Sequence, residues 1–126
     1  MKDEVPNIVR EVGFDFDWEP QKVWLLDEPT TEMSLQDLVW HFDIPFLWEG
    51  DKVVTPRAIM DEPNKHPNEY ARTLAADISH PIDVMKNKGR WLILDGLHRL
   101  MKLYMQGATT VRVRIIPRTR IPEITR

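Results

Sequence analysis

Asp95-Gly96-Leu97-His98-Arg99 is the stretch whose residue types and spacing best suit chemistry, and that chemistry is phosphate binding. It lies between an apolar run, Trp91-Leu92-Ile93-Leu94, and a stretch with Leu97, Leu100, Met101 and Tyr104 at helical spacing. The order is strand, turn, helix. A glycine at 96 lets the backbone bend sharply and a ligand approach closely. The first amides of a helix have no internal partner and carry the positive end of its dipole, which suits an anion. His98 and Arg99 fall in the first turn, where a cation is unfavourable by up to ~1 kcal/mol unless an anion offsets it. Lys102 follows one turn on. Arg99 could grip phosphate oxygens with two donors, and Lys102 could act as a point charge. Asp95 could order His98, take a proton from a substrate hydroxyl, or hold Mg²⁺ through one carboxylate. The plainer reading of the same residues is a helix N-cap followed by two solvated cations.

Other residues are candidates around this turn. Glu28, Glu32 and Asp37 would reach it if the first strand and helix pack beside it, where an acid could bind a substrate amine or act as a base. Asp83 lies on the strand expected to pair with the one that feeds Asp95, and either lines the pocket or faces solvent. His41 and Asp43 are two metal-ligand types side by side, short of the three or more that a site needs. Arg112 and Arg114 share one face of the last strand, and Arg118 and Arg120 extend the basic run. That face suits a nucleic-acid backbone, or is simply a charged strand face that discourages aggregation.

The charge is polarised along the chain. Residues 1–98 carry 10 Lys/Arg against 19 Asp/Glu, whereas residues 99–126 carry 7 against Glu123 alone. Positive potential near the C-terminal elements would attract anions, or the two ends attract each other in the fold. The sequence has no cysteine, which removes disulfides, zinc–thiolate sites and thiol catalysis, and fits a reducing compartment. With no secretory leader pattern and no apolar stretch near the ~20 residues of a membrane helix, a cytoplasmic protein without a membrane partner is expected.

The elements that must position the turn can be read along the chain. Residues 1–20 form an acidic, aromatic arm in which Phe14-Asp15-Phe16-Asp17-Trp18 alternates like a short strand or a docking segment. Residues 22–26 read as a strand ending before Pro29. Ser34 reads as the N-cap of a helix that carries Leu38, Val39 and Phe42 and stops near Asp43. Residues 44–48 are apolar and irregular, and Gly50-Asp51 is a turn. Thr55-Pro56 opens a short helix towards Met60, and Pro67 opens a second with Tyr70, Leu74 and Ile78 on its apolar face. Residues 82–85 and 90–94 form a hairpin about Asn87-Lys88-Gly89. Gly107 ends the helix that follows the turn, and residues 110–116 form a last strand, with residues 117–126 as a basic tail. The expectation is one α+β domain over residues 1–126, a small mixed sheet with helices packed on it.

The run from His80-Pro81-Ile82-Asp83-Val84 through Trp91–Leu100 to Gly107 and Val111-Arg112-Val113 resembles the ParB/sulfiredoxin-like superfamily. The shared pattern is a Pro-Ile strand, a hairpin, a strand ending in Asp-Gly-x-His-Arg or Gly-x-Arg-Arg, a helix ending in Gly, and a strand. It covers residues 80–116, with weaker support from residues 23–42. The Asp-Gly-x-His-Arg form is most similar to the free serine kinase branch. The resemblance implies a nucleotide (ATP, ADP or CTP), with Mg²⁺, held at Gly96, His98, Arg99 and Lys102. It makes Asp95 the catalytic or metal-linked acid of a phosphotransferase or NTPase. A sulfiredoxin needs a cysteine in this turn and is excluded; a centromere-binding clamp is not expected, for want of the helix-turn-helix and dimerisation domains and of an Asn-Pro-x-Gln-Pro-Arg box. The expected partners are the nucleotide and a small hydroxyl-bearing substrate, with self-association into a homodimer as a further expectation. Two alternatives remain: a non-catalytic DNA-binding or partition-accessory module using Arg112, Arg114 and the tail, and a partner-binding protein docking through the N-terminal arm.

Overall fold

The computed structural model describes residues 4–126. In chain order its elements are α1 (Asn7–Val12), α2 (Pro20–Trp24), β1 (Thr30–Ser34), β2 (Leu47–Glu49), β3 (Lys52–Val54), α3 (Pro56–Asp61), α4 (Pro67–Ala75), β4 (Ile82–Asn87), β5 (Arg90–Asp95), α5 (Leu97–Met105), β6 (Thr110–Ile115) and α6 (Ile121–Ile124). Short 3₁₀ turns cover Leu35–Asp37, Val39–Asp43, Pro63–Lys65 and Arg118–Arg120. Four strands form one sheet in the order β1-β6-β4-β5, with β4 and β6 parallel and the outer pairs antiparallel; β2 and β3 form a separate hairpin. This is the mixed sheet with packed helices that the strand and helix patterns predict. No helix among the described residues is long and apolar enough to cross a membrane.

Both faces of the sheet are covered. Ile82, Val84, Val111 and Val113 pack with Leu100 and Met101 of α5 and with Leu38 and Phe42. On the other face Met85 and Leu94 pack with Val23 of α2 and Ile124 of α6, under Phe14, Phe16 and Trp18 of the N-terminal arm. The arm is therefore half buried against the sheet and held by an isolated bridge between Trp18 and Thr125.

Three local expectations are corrected. Residues 22–26 are not a strand: Pro20 sits in the first turn of α2 after an extended Glu19, and Val23 faces the core. A four-residue apolar run, Val23 to Leu26, fits either element, and the proline decides it. Ser34 caps no helix; it ends β1, and two 3₁₀ turns replace the helix expected up to Asp43. Of the expected apolar face of α4, Tyr70 packs against the core, Leu74 is exposed and Ile78 lies beyond the helix end at Ala75; the buried residues of α4 are Glu69 and Thr73. Thr55 accepts a hydrogen bond from Ala58 N at 3.1 Å, the cap expected ahead of Pro56. Lys88 and Gly89 take positive φ in the β4–β5 hairpin, and Gly107 does so where α5 ends.

Strand β5 lies at the edge of the sheet, and side chains satisfy three of its backbone groups. Trp18 Nε1 donates to Leu94 O at 3.0 Å and Trp40 Nε1 donates to Trp91 O at 3.3 Å. Ile93 N donates to His41 Nε2 at 3.1 Å, while His41 Nδ1 lies 2.7 Å from Leu38 O. The carbonyl of Leu38 can only accept, so Nδ1 carries the proton and Nε2 is the acceptor. Burial pushes the His41 pKa down to about 4. These contacts fix the exit of β5, the point from which Asp95 projects.

Candidate functional site

Gly96 stands between β5 and α5 with φ +114°. A Cβ there would lie 3.2 Å from Ile82 Cγ1, 3.3 Å from Ile82 Cα and 3.1 Å from an Arg99 terminal nitrogen. Only glycine fits without strain, because L side chains avoid this conformation and β4 lies directly behind. The nine-residue α5 begins at Leu97 with no side-chain cap, and Leu100 N donates back to Gly96 O at 3.0 Å. The amides of Leu97, His98 and Arg99 have no acceptor among the described residues.

Gly96, Leu97, His98 and Arg99 line a cleft of about 840 Å³. Its apolar lining includes Val9, Phe14 and Phe16 of the arm and Phe46 from the loop before β2. Arg72 of α4, Arg99 and Arg10 of α1 also line it, with His80 and His98. The carboxylates of Asp17, Asp77 and Asp95 also reach it.

Arg99 folds back beneath the turn. One of its terminal nitrogens donates to Pro81 O at 2.6 Å and the other to Asp95 Oδ2 at 3.1 Å. It thus ties the start of β4 to the end of β5. Trp24 Nε1 donates to the same Asp95 oxygen at 2.7 Å. His98 Nε2 lies 2.6 Å from Oε2 of Glu69, whose side chain is 6% exposed. Glu69 Oε1 lies 3.4 Å from Arg72, so both carboxylate oxygens are held.

The position of Glu69 has a traceable cause. Glu49 of β2 caps α4: its carboxylate accepts from Glu69 N at 2.9 Å, Asn68 N at 3.3 Å and Asn68 Nδ2 at 2.7 Å. Chiefly through the Glu69 amide, these donors hold the Glu49 carboxyl below its usual range. Thr73 Oγ1 then donates to Glu69 O at 2.9 Å inside the helix. Glu49 fixes the start of α4, α4 presents Glu69, and Glu69 holds His98.

A second cleft, of about 520 Å³, lies against the same turn and is lined by Trp24, His80, Pro81, Asp83, Asp95, Arg99 and Arg114. Asp83 and Asp95 are cross-strand partners, and Asp83 is also in register with Arg114 of β6. The three side chains form a row across three strands. Arg114 Nε donates to Asp83 Oδ1 at 2.7 Å, and its terminal nitrogens donate to Leu26 O at 2.7 Å and Val23 O at 3.0 Å. Burial pushes the Asp83 carboxyl up, against the pull of Arg114.

Of the residues expected at the site, Asp95, Gly96, His98 and Arg99 line the larger cleft, and Asp83 lines the smaller one. Lys102 does not face the turn. Its Nζ donates to Leu74 O at 2.7 Å and Ala76 O at 3.0 Å, capping the C-terminus of α4. Glu28 lies 3.7 Å from Arg120, and Glu32 sits opposite Arg112 on β1, the far edge of the sheet from β5. The Arg112–Arg114 face is not a free basic stripe. Arg114 is turned inward onto Asp83 and the end of α2, while Arg112 is exposed and donates to Ser79 O at 3.1 Å. Among the described residues no group of three or more acidic, His or Cys side chains is placed to hold a metal. The sequence reading missed Glu69, Arg72 and Trp24, because a turn of α4 and a turn of α2 bring them in from far along the chain.

No known protein family matches the chain, and neither the curated proteins nor the solved structures hold a significant match to it.

Proposed function

We propose that the protein binds a nucleotide in the larger cleft, with its phosphates on the N-terminus of α5. One observation carries this reading: the amides of Leu97, His98 and Arg99 are uncapped, and the same residues line a cleft of about 840 Å³ at a turn that only glycine fits. Helix N-termini of this kind suit phosphate, and a cleft of this size suits a small-molecule ligand. Arg72 and Arg99 supply positive charge at the cleft, and Phe14, Phe16 and Phe46 supply apolar surface for a base. Lys102 is outside this phosphate set, because it is committed to α4.

Nucleotides commonly carry Mg²⁺, which keeps phosphate and water ligands and needs only one or two protein carboxylates. Asp95 fits that requirement: its Oδ2 is engaged by Trp24 and Arg99, and its Oδ1 accepts no hydrogen bond from a described residue. The same reading assigns the chain to the ParB/sulfiredoxin-like superfamily, on the Asp-Gly-x-His-Arg turn and a mixed four-stranded sheet. Calorimetric titration with ADP, ATP, CTP and GTP, with and without Mg²⁺, tests the proposal. Saturable binding of at least one of them is expected, and heats of dilution alone from all of them would sink it.

A further inference from the structure

We propose that α1 is a strap, pivoting at Gly13, that closes over the occupant of the larger cleft and brings Arg10 onto its anionic group. The inference rests on the nucleotide reading above and adds a movable element to the same site. The N-terminal arm is held unevenly. After Gly13 it is fixed: the rings of Phe14, Phe16 and Trp18 pack on one another and against the core, and Trp18 donates to Leu94 O. Before Gly13 the hold is slight. The six residues of α1 include no buried one, and Val5 and Ile8 are 43% and 39% exposed. A helix this short is not stable alone in water, because fixing its backbone costs more than its few hydrogen bonds return.

What order α1 has comes from its last residues. Asn87 of the β4–β5 hairpin is buried, and its Nδ2 donates to Val12 O at 2.9 Å and Gly13 O at 3.0 Å. Lys88 Nζ donates to Glu11 O at 2.6 Å. Gly13 N donates back to Val9 O at 2.8 Å, and a Cβ at position 13 would lie 2.7 Å from that oxygen, so this tight end requires glycine. Among the described residues, no hydrogen bond or ion pair ties residues 4–10 to anything outside the arm. The pivot is therefore at one end of α1, and the other end can swing.

The swinging end carries what an occupant would meet. Val5, Val9 and Arg10 line the cleft together with Leu97, His98 and Arg99. Arg10 is the one cation among residues 4–21, an otherwise acidic stretch, and it pairs with no described carboxylate. An unpaired guanidinium attracts an anion and can grip phosphate with two donors. An occupant that touches Val5, Val9 and Arg10 gives α1 the contacts it lacks, so binding and the ordering of α1 are one event.

The test titrates the full chain with ADP, reading affinity by calorimetry and hydrogen exchange at the amides of Val9 to Val12 by NMR. Saturating ADP should slow that exchange by about tenfold or more. R10Q alters an exposed side chain and should keep the wild-type urea midpoint without ligand. Its ADP affinity should fall by about tenfold, while its adenosine affinity stays within about twofold of the wild type's. N87A removes the pivot, so its α1 amides should exchange faster than the wild type's; if N87A does not fold, R10Q and the wild-type exchange decide. ADP binding with unmoved exchange in α1, or wild-type ADP affinity in R10Q, overturns the strap and leaves the nucleotide reading standing. Equal losses for ADP and adenosine in R10Q overturn Arg10 as the anion contact. Absence of ADP binding by the wild type refutes the nucleotide reading itself, and the strap falls with it.

Discussion

Asp83 and Asp95 stand opposite one another on β4 and β5 because β5 carries one extra residue between them. Val84 pairs with Ile93 and Asp83 pairs with Asp95, so Leu94 is the bulged residue. Without the bulge Asp95 would follow Ile93 towards α5. With it, Asp95 joins Asp83 on the face where Trp24 of α2 reaches its carboxylate. Bulges commonly re-aim a side chain in this way beside functional sites.

This pairing brings the charge of Asp95 to bear on Asp83. The charge of Asp95 adds to burial in pushing the Asp83 carboxyl up. In D95N that repulsion is gone while the amide oxygen can still accept from Trp24. The Asp83 carboxyl should therefore titrate lower in D95N than in the wild type, as read by its ¹³C shift. An unmoved midpoint would mean that the two groups do not sense each other.

Arg114 is structural. In R114M the Asp83 carboxylate, 3% exposed at the side chain, loses its cationic hydrogen-bond partner. Breaking a buried pair in this way costs about 3–5 kcal/mol at neutral pH. The unpaired Asp83 should hold its proton far above its unfolded value, so the loss should shrink as pH falls towards the ordinary carboxylate range. Urea denaturation of R114M at pH 7 and pH 5 measures both effects, and equal deficits at the two pH values would contradict the assignment.

His41 makes the fold sensitive to mild acid. The folded ring titrates at about 4, whereas an unfolded histidine titrates near the ordinary 6.5. Protons therefore bind the unfolded chain more readily between these values. Stability is fully present above about pH 6.5 and is lost as pH falls towards 4, by up to about 3 kcal/mol. Denaturation curves from pH 7.5 to 4.5 should show this slope in the wild type and a smaller one in H41Q. Identical slopes would contradict it.

The hairpin, turn and helix of residues 82–105 were legible because each rests on local signals: an apolar run, Lys88-Gly89 at a tight turn, Gly96 and the Leu100–Met101 stripe. The elements around them were not. The four apolar residues from Val23 to Leu26 fit a strand or a helix until Pro20 and the core contact of Val23 decide. The buried face of α4 was misread because Glu69 goes inside only with His98 to meet it, 29 residues on. Arg114 reads as a surface cation on an alternating strand, and its partners at Val23 and Leu26 lie 91 and 88 residues away. Charged residues buried by distant partners carry no periodic signal.

Gly96 couples fold and site. In G96A the backbone is held at φ +114° and the new methyl meets Ile82 and Arg99. The variant should lose about 2 kcal/mol of stability. Its weakened turn should also lower nucleotide affinity beyond what the lost stability explains, measured at a temperature where the variant is fully folded. Wild-type affinity in folded G96A would separate the turn from the site.

The most direct measurement is an ADP titration followed by amide ¹⁵N–¹H correlation spectra, with adenosine as the comparison. If α5 holds the phosphates, the amides of Leu97, His98 and Arg99 move progressively with ADP and barely with adenosine, while signals from Phe14 to Trp18 move with both. If ADP leaves the Leu97–Arg99 amides where they are, the phosphate site is not on this helix and the account of the turn is wrong.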